Sequence, residues 1–265
     1  MTDGSLGASP EAAAALARAA EAGIHCLAIP TPFQVGLVNC WLLDDDPLTL
    51  LDSGPNSGTA LDALERALAE RGHRVEDLQL IVISHQHMDH LGLVSILARR
   101  SGAEVAALDA LAPWAARYDD GMQADDAFAN SVMTEHGIPE GIRLALLAVS
   151  QSYRHWGASA NVTRPLKPGC ELRFRDRALR VLHRPGHSPS DTIFHDAERG
   201  IVLGADHLSL RKMRWPYAAA APCSVTVCPR PSSCASRRLV TRSRARRSAS
   251  GLGGGLYSSP VLSMW

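Results

Sequence analysis

Short apolar runs separated by turn residues set the rhythm of this chain. Residues 24–30, 38–44 and 48–52 are apolar stretches of strand length, divided by Pro, Gly and Asp, and they predict an antiparallel meander. Asn56 or Ser57 can cap the helix that follows, with Leu61, Leu64 and Leu68 on one face and Gly72 closing it. Residues 78–84 read as a buried strand, 91–97 as the start of a helix, and 104–108 as another strand. Further on, 171–175, 178–183, 192–195 and 201–205 form a second set of strands. Two strand sets with helices outside them predict a layered α/β sandwich. The Ala-rich stretch 1–23 reads as a short N-terminal helix, since it lacks the basic start and continuous apolar core of a signal peptide.

The middle segment interrupts this rhythm. Residues 110–152 read as two or three helices, with Trp114, Tyr118, Met122, Phe128 and Met133 at roughly helical intervals, followed by Tyr153, His155 and Trp156. Each large residue alone is best explained as glue between helix and body. The whole insert, about 110–156, reads as a cap that shapes a substrate pocket.

Chemistry concentrates where the buried strand 78–84 ends. There the chain runs His85-Gln86-His87-Met88-Asp89-His90, four metal-ligating side chains in six positions. Imidazole and carboxylate suit zinc and neighbouring first-row metals. His85 and His87 are two apart and project to one side of a fraying strand, and Asp89 and His90 follow in a turn. The four can therefore split into two pairs, each facing its own ion.

That run resembles the His-x-His-x-Asp-His signature of the metallo-β-lactamase fold superfamily, and other motifs extend the resemblance over residues 24–208. Asp52 ends an early strand in Leu51-Asp52-Ser53-Gly54, His187 sits in Pro185-Gly186-His187, and Asp206 follows the apolar run 201–205. The resemblance implies a four-layer αββα sandwich and one or two zinc ions, with iron or manganese as alternatives. It assigns His85, His87 and His187 to a first ion, and Asp89 and His90 to a second. Asp206 bridges the two, and Asp52 lies beneath to orient a ligand. Asp89 would also be a proton acceptor. The implied chemistry is hydrolysis by a metal-activated water. The glyoxalase II, lactonase and general metallo-hydrolase branches, acting on an ester or thioester, come first. Phosphodiester cleavage by a nuclease of the same superfamily is the alternative. His25, His73, His136, His183 and His195 fall outside these motifs and are expected to be solvated or hydrogen-bonded. Ser188 and Asp191 are expected to be structural, as a cap or a support for His187.

One family feature is missing. A last His in a His-Gly pair normally completes the second ion, and no His follows His207. Side-chain alternation would turn His207 away from Asp206 if the strand continued through both. The second ion is therefore expected to be weak or absent. Composition breaks at the same place: the first 206 residues hold all 27 acidic residues and 17 of the 27 basic ones, a net charge of −10, while the rest carries +10 and no acidic residue. The tail clusters Cys223, Cys228 and Cys234 in no zinc-module spacing, and its arginines lack the aromatic interleaving of a nucleic-acid arm. It reads as out-of-frame text after a shift near residues 213–221, with the closing strand and helix missing. A third reading is then an inactive, damaged relative that holds one ion without turnover.

The resulting map has a helix at 1–23, a metallo-β-lactamase-like domain at 24–212 and a disordered or out-of-frame tail at 213–265. Cys26, Cys40 and Cys170 are scattered without a disulfide framework. No stretch approaches membrane-span length. The expected setting is cytoplasmic, with a small-molecule substrate as partner and neither membrane nor nucleic acid.

Overall fold

The computed structural model describes residues 10–34 and 36–207 together with the strand Val225–Val227. After helix α1 (Pro10–Glu21), strands β1 (Ile24–Pro30), β2 (Leu37–Leu43) and β3 (Thr49–Leu51) form the expected antiparallel meander. Helix α2 (Gly58–Ala69) crosses back so that β4 (Leu80–Ile83) lies parallel to β3. Ser57 is the cap of α2, its hydroxyl accepting from the Ala60 N–H at 3.0 Å. Helices α3 (Met88–Leu91) and α4 (Val94–Ser101) lead to β5 (Glu104–Leu108), which is parallel to β4. All four residues of β4 are buried, as a parallel strand covered on both faces requires.

The insert folds as α5 (Ala112–Ala116), α6 (Tyr118–Glu135), α7 (Glu140–Tyr153) and a 3-10 turn at Arg154–Trp156. It returns to β6 (Arg164–Leu166), a strand the apolar pattern does not announce, completing a sheet in the order β1-β2-β3-β4-β5-β6. Trp114, Tyr118, Met122, Tyr153 and Trp156 pack on the body, whereas Phe128 is 40% exposed.

The second sheet is antiparallel, in the order β11-β10-β9-β8-β7. Its strands are β7 (Glu171–Arg173), β8 (Ala178–His183), β9 (Thr192–Asp196), β10 (Ile201–Leu203) and β11 (Val225–Val227). The last lies in the tail read as out of frame, and it pairs along β10 from Ile201↔Val227 to Leu203↔Val225. The expected frame shift and the absence of a closing helix otherwise lie outside the described residues, as do residues 1–9 of the expected N-terminal helix.

Two cores follow from alternation along the strands. Leu50 of β3 joins Ile81, Ile83, Leu64, Leu68 and Leu97 beneath the helices, while the adjacent Leu51 joins Trp41, Val82, Val181 and Phe194 between the sheets. Burying one such side chain contributes about 1.5–3 kcal/mol. A buried ion pair also links the two sheets. Arg177, in the β7–β8 turn, donates from Nε to Asp45 Oδ2 at 2.8 Å in the β2–β3 turn, and from a terminal nitrogen to the Ala22 carbonyl at 2.6 Å. Among the described residues no helix is long and apolar enough to cross a membrane.

Candidate metal centre

The parallel run of β3 and β4 brings their C-terminal ends to one edge of the first sheet, with Asp52 and His85 just beyond them. The β8–β9 loop and the end of β10 bring His187 and Asp206 from the second sheet to meet them. Three ring nitrogens converge. His87 Nδ1 lies 3.1 Å from His85 Nε2 and 2.9 Å from His187 Nε2. Two groups of side chains could hold an ion, namely His85, His87, His187 and His85, His90, Asp206.

Asp52 organises the floor. Its carboxylate accepts the Ser84 N–H at 2.8 Å and the Ser84 hydroxyl at 2.7 Å, and it lies 2.9 Å from His90 Nδ1. Since Ser84 gives its proton to Asp52, its oxygen is left to accept from His85 Nδ1 at 2.9 Å. Both imidazoles are thereby held with Nδ1 protonated and the Nε2 lone pair facing the cluster, the carboxylate–histidine arrangement of metal sites. Asp52 adopts φ 62°, a left-handed conformation that a short acidic residue tolerates better than most. The chain also adopts φ 42° at Ala205, next to Asp206. Such backbone outliers cluster at functional sites.

On the opposite side Asp191, 2% exposed, accepts from the His187 and Ser188 backbone N–H groups at 2.7 and 2.9 Å and from the Ser188 hydroxyl at 2.8 Å. Ser190 accepts the Gln86 N–H at 3.1 Å, and the Thr192 N–H donates to the Ser84 carbonyl at 3.1 Å. These bonds stitch the two sheet edges together around the histidines.

The donor set fits a cation. His90 Nε2 is buried and has no hydrogen-bond partner among the described residues, with Asp206 Oδ2 at 3.5 Å and Asp89 Oδ2 at 3.9 Å. A ring nitrogen aimed at two carboxylates is what a divalent ion requires once that nitrogen gives up its proton. Burial, and then repulsion from His90, His87 and His187, holds His85 well below the ordinary imidazole range. Burial, followed by His187 and His90, pushes His87 down to about 3. Burial also pulls His90 down, but Asp206, Asp89 and Asp52 together raise it well above its usual value. Desolvation raises Asp206, yet His90, His187 and His87 hold it well below the carboxylate range. Burial raises Asp89, with Asp206 and Asp52 adding to the effect and His90 opposing it.

The structure thus brings together His85, His87, His90, His187 and Asp206 over Asp52. Asp89 stands at the margin, in neither ion-holding group. Its placement follows from the early start of α3. The His87 carbonyl already accepts from His90 and Leu91, so Asp89 and His90 are consecutive helical residues with diverging side chains rather than residues of a turn. The strand expected over 201–205 stops at Leu203, so alternation does not govern His207. It lies with Asp206 in a 3-10 turn, its Nδ1 3.2 Å from Asp191 Oδ2. Ser84 is a participant that the sequence pattern presents only as the end of a strand. Its position directly before His85 is the one signal that points to it.

Comparison with known proteins agrees with this geometry. The Metallo-beta-lactamase superfamily profile matches residues 34–239. A probable metallo-hydrolase of Bacillus subtilis (strain 168), YqjP, is 28% identical over 185 residues, covering 70% of this chain and 57% of that protein. The crystal structure of a metallo-beta-lactamase family protein from Thermus thermophilus matches with a TM-score of 0.60 and 27% identity, covering 72% of this chain and 61% of that one. A beta-lactamase domain protein from Burkholderia ambifaria shares the fold at a TM-score of 0.52 and 24% identity, covering 68% of this chain and 53% of that one. The chain therefore spans less than two thirds of the length of these relatives. With a profile match across most of its residues and the motif histidines gathered where the edges of the two sheets meet, the chain belongs to the metallo-beta-lactamase superfamily.

Proposed function

We propose that the protein is a metal-dependent hydrolase acting on an ester or thioester. The observation that carries this reading is the pair of ion-holding groups that share His85. His85, His87 and His187 would hold one divalent ion, zinc being the ion that suits three imidazoles best. His90 and Asp206 would hold a second beside it. When bound, such ions supply Lewis acidity and a water acidified to near neutral pH.

The protein's own groups do the rest. Asp52 and Ser84 keep His85 and His90 in the tautomers that present Nε2. Asp89 would accept a proton at its carboxylate, its proton affinity being raised by burial. Asp191 fixes the loop carrying His187. Among the described residues no Lys or Arg is ion-paired to Asp52, Asp89 or Asp206, whose salt-bridge partners are histidines.

Metal analysis after dialysis, followed by assays on acetyl thioesters, p-nitrophenyl acetate and bis(p-nitrophenyl) phosphate, tests the reading. Metal-dependent acyl hydrolysis that disappears in His85→Ala is expected. Turnover of the phosphodiester alone would overturn it.

A further inference from the structure

Helix α6 connects the metal motif to a separate depression. At one end Asp125 Oδ2 accepts from Gln86 Nε2 at 3.4 Å, and Gln86 stands between His85 and His87. Tyr118, the first residue of α6, lies seven positions earlier on the same helix. Seven residues are two turns, which places Tyr118 on the same face roughly 10 Å along the axis. There it lines an open depression of about 570 Å³, together with Asn56, Arg154, His155 and Gly157. In its floor the Asn56 N–H donates to the Trp156 carbonyl at 2.6 Å, and both groups rest on Gly92 of the metal-bearing segment.

Two donors in this wall lack acceptors. Tyr118 is 1% exposed and its hydroxyl has no partner among the described residues. The phenol end lies directly against Gly157, where any Cβ would collide with the hydroxyl. The Arg154 Nε–H is buried and equally unpartnered, while the terminal nitrogen of the same guanidinium is paired with Asp126. Burial, reinforced by Asp119, pushes the phenol above its ordinary range, so it stays an O–H donor. A buried donor left without an acceptor is costly, so this wall favours a ligand that brings an oxygen. The Arg154 charge is already matched by Asp126, and Asp119 lines the same depression, which disfavours an anion.

We infer that this depression receives an uncharged, carbonyl-bearing arm of the substrate, held by Tyr118 and Arg154 beside the helix that reaches the metal motif. The inference rests on the hydrolase reading for the arm's role, and on the depression alone for the binding.

The test uses the zinc-loaded chain and three acetyl thioesters that differ only at the far end of an eight-carbon arm: those of 8-mercaptooctanamide, 8-mercaptooctanoate and octanethiol. The amide should exceed the other two in kcat/KM by about tenfold, the usual effect of one satisfied buried donor. In Tyr118→Phe the amide-to-methyl ratio should fall towards one, a readout internal to each protein preparation. A ratio near one in the unaltered chain, a ratio unchanged in Tyr118→Phe, or a preference for the carboxylate would overturn the inference. If none of the thioesters is hydrolysed, the hydrolase reading fails and the depression is still tested. Octanamide titrated into nitrogen-15-labelled protein should shift the Tyr118 and Gly157 amide signals, and unmoved signals would overturn it.

Discussion

Asp52 Oδ2 lies 2.9 Å from His90 Nδ1, with each side chain only 1% exposed. That contact leaves His90 Nε2 directed at the carboxylates of Asp206 and Asp89, and through Ser84 the same carboxylate directs His85. Asp52→Asn keeps the shape and tolerates the left-handed backbone, but it removes the charge that fixes both tautomers. We predict that metal affinity falls by about 10–100-fold. Competition against a chromophoric chelator measures this, and an unchanged affinity would remove Asp52 from the site.

The ligand set is tested by contrast. His187→Ala removes one of three converging imidazoles and should abolish tight metal binding. His195→Ala should leave metal content unchanged, because His195 pairs with Arg180 and Val202 on the outer face of the second sheet. The unaltered protein should retain about one equivalent through dialysis against a mild chelator, since the two groups share His85 and only one of them is built from three imidazoles. Two retained equivalents, or equal losses in both variants, would show the assignment to be wrong.

The ion pair between the sheets predicts a pH dependence. Burial raises Asp45, but the Arg177 guanidinium and the Asp46 and Asp176 backbone N–H groups outweigh it and lower the carboxyl below its ordinary value. A carboxylate depressed in the folded state stabilises above its unfolded pKa, about 3.9, and loses that contribution as pH falls through the lower folded value. Asp45→Asn leaves Arg177 buried without its counter-charge, which should cost about 3–5 kcal/mol at neutral pH. The gap between variant and parent should narrow below about pH 4, where the parent loses the charge as well. Urea melts across the pH range would show it, and a gap independent of pH would refute the electrostatic account.

Gly92 offers a steric test. Its backbone is helical, φ −58°, so glycine's conformational freedom is not needed there. A Cβ would instead strike the Asn56 nitrogen, the Trp156 oxygen and the Met88 oxygen, all of them backbone. Gly92→Ala should therefore destabilise by about 1–3 kcal/mol, the usual cost of overpacking. A melting temperature equal to that of the parent would mean that the segment yields more easily than its hydrogen bonds imply.

Much of this is legible in the chain because the governing patterns are local. Strands β1 and β5 fall at their expected limits, since turn residues bracket apolar runs of strand length. The ligating residues are legible because they occur as a compact motif after a buried strand. Strand β6 is not, because Arg164-Pro165-Leu166 is three residues long and contains a proline tolerated only at a sheet edge. Asp191 is legible as a support for His187 because it lies only four positions away. Ser84 hides for another reason: its role is a hydrogen bond made across 32 residues to Asp52, and no sequence period reports such a pair.

His87 and His187 stand 100 positions apart in the chain, one on each sheet, with ring nitrogens 2.9 Å from one another. An ion gripping both would act as a reversible cross-link. Tying off a loop of that length restricts the unfolded chain by about 4.7 kcal/mol in the loop-entropy treatment of covalent bridges. Metal supply would then govern how long the folded molecule survives. Withdrawing the ion would untie that loop and leave the emptied chain the more open to proteolysis.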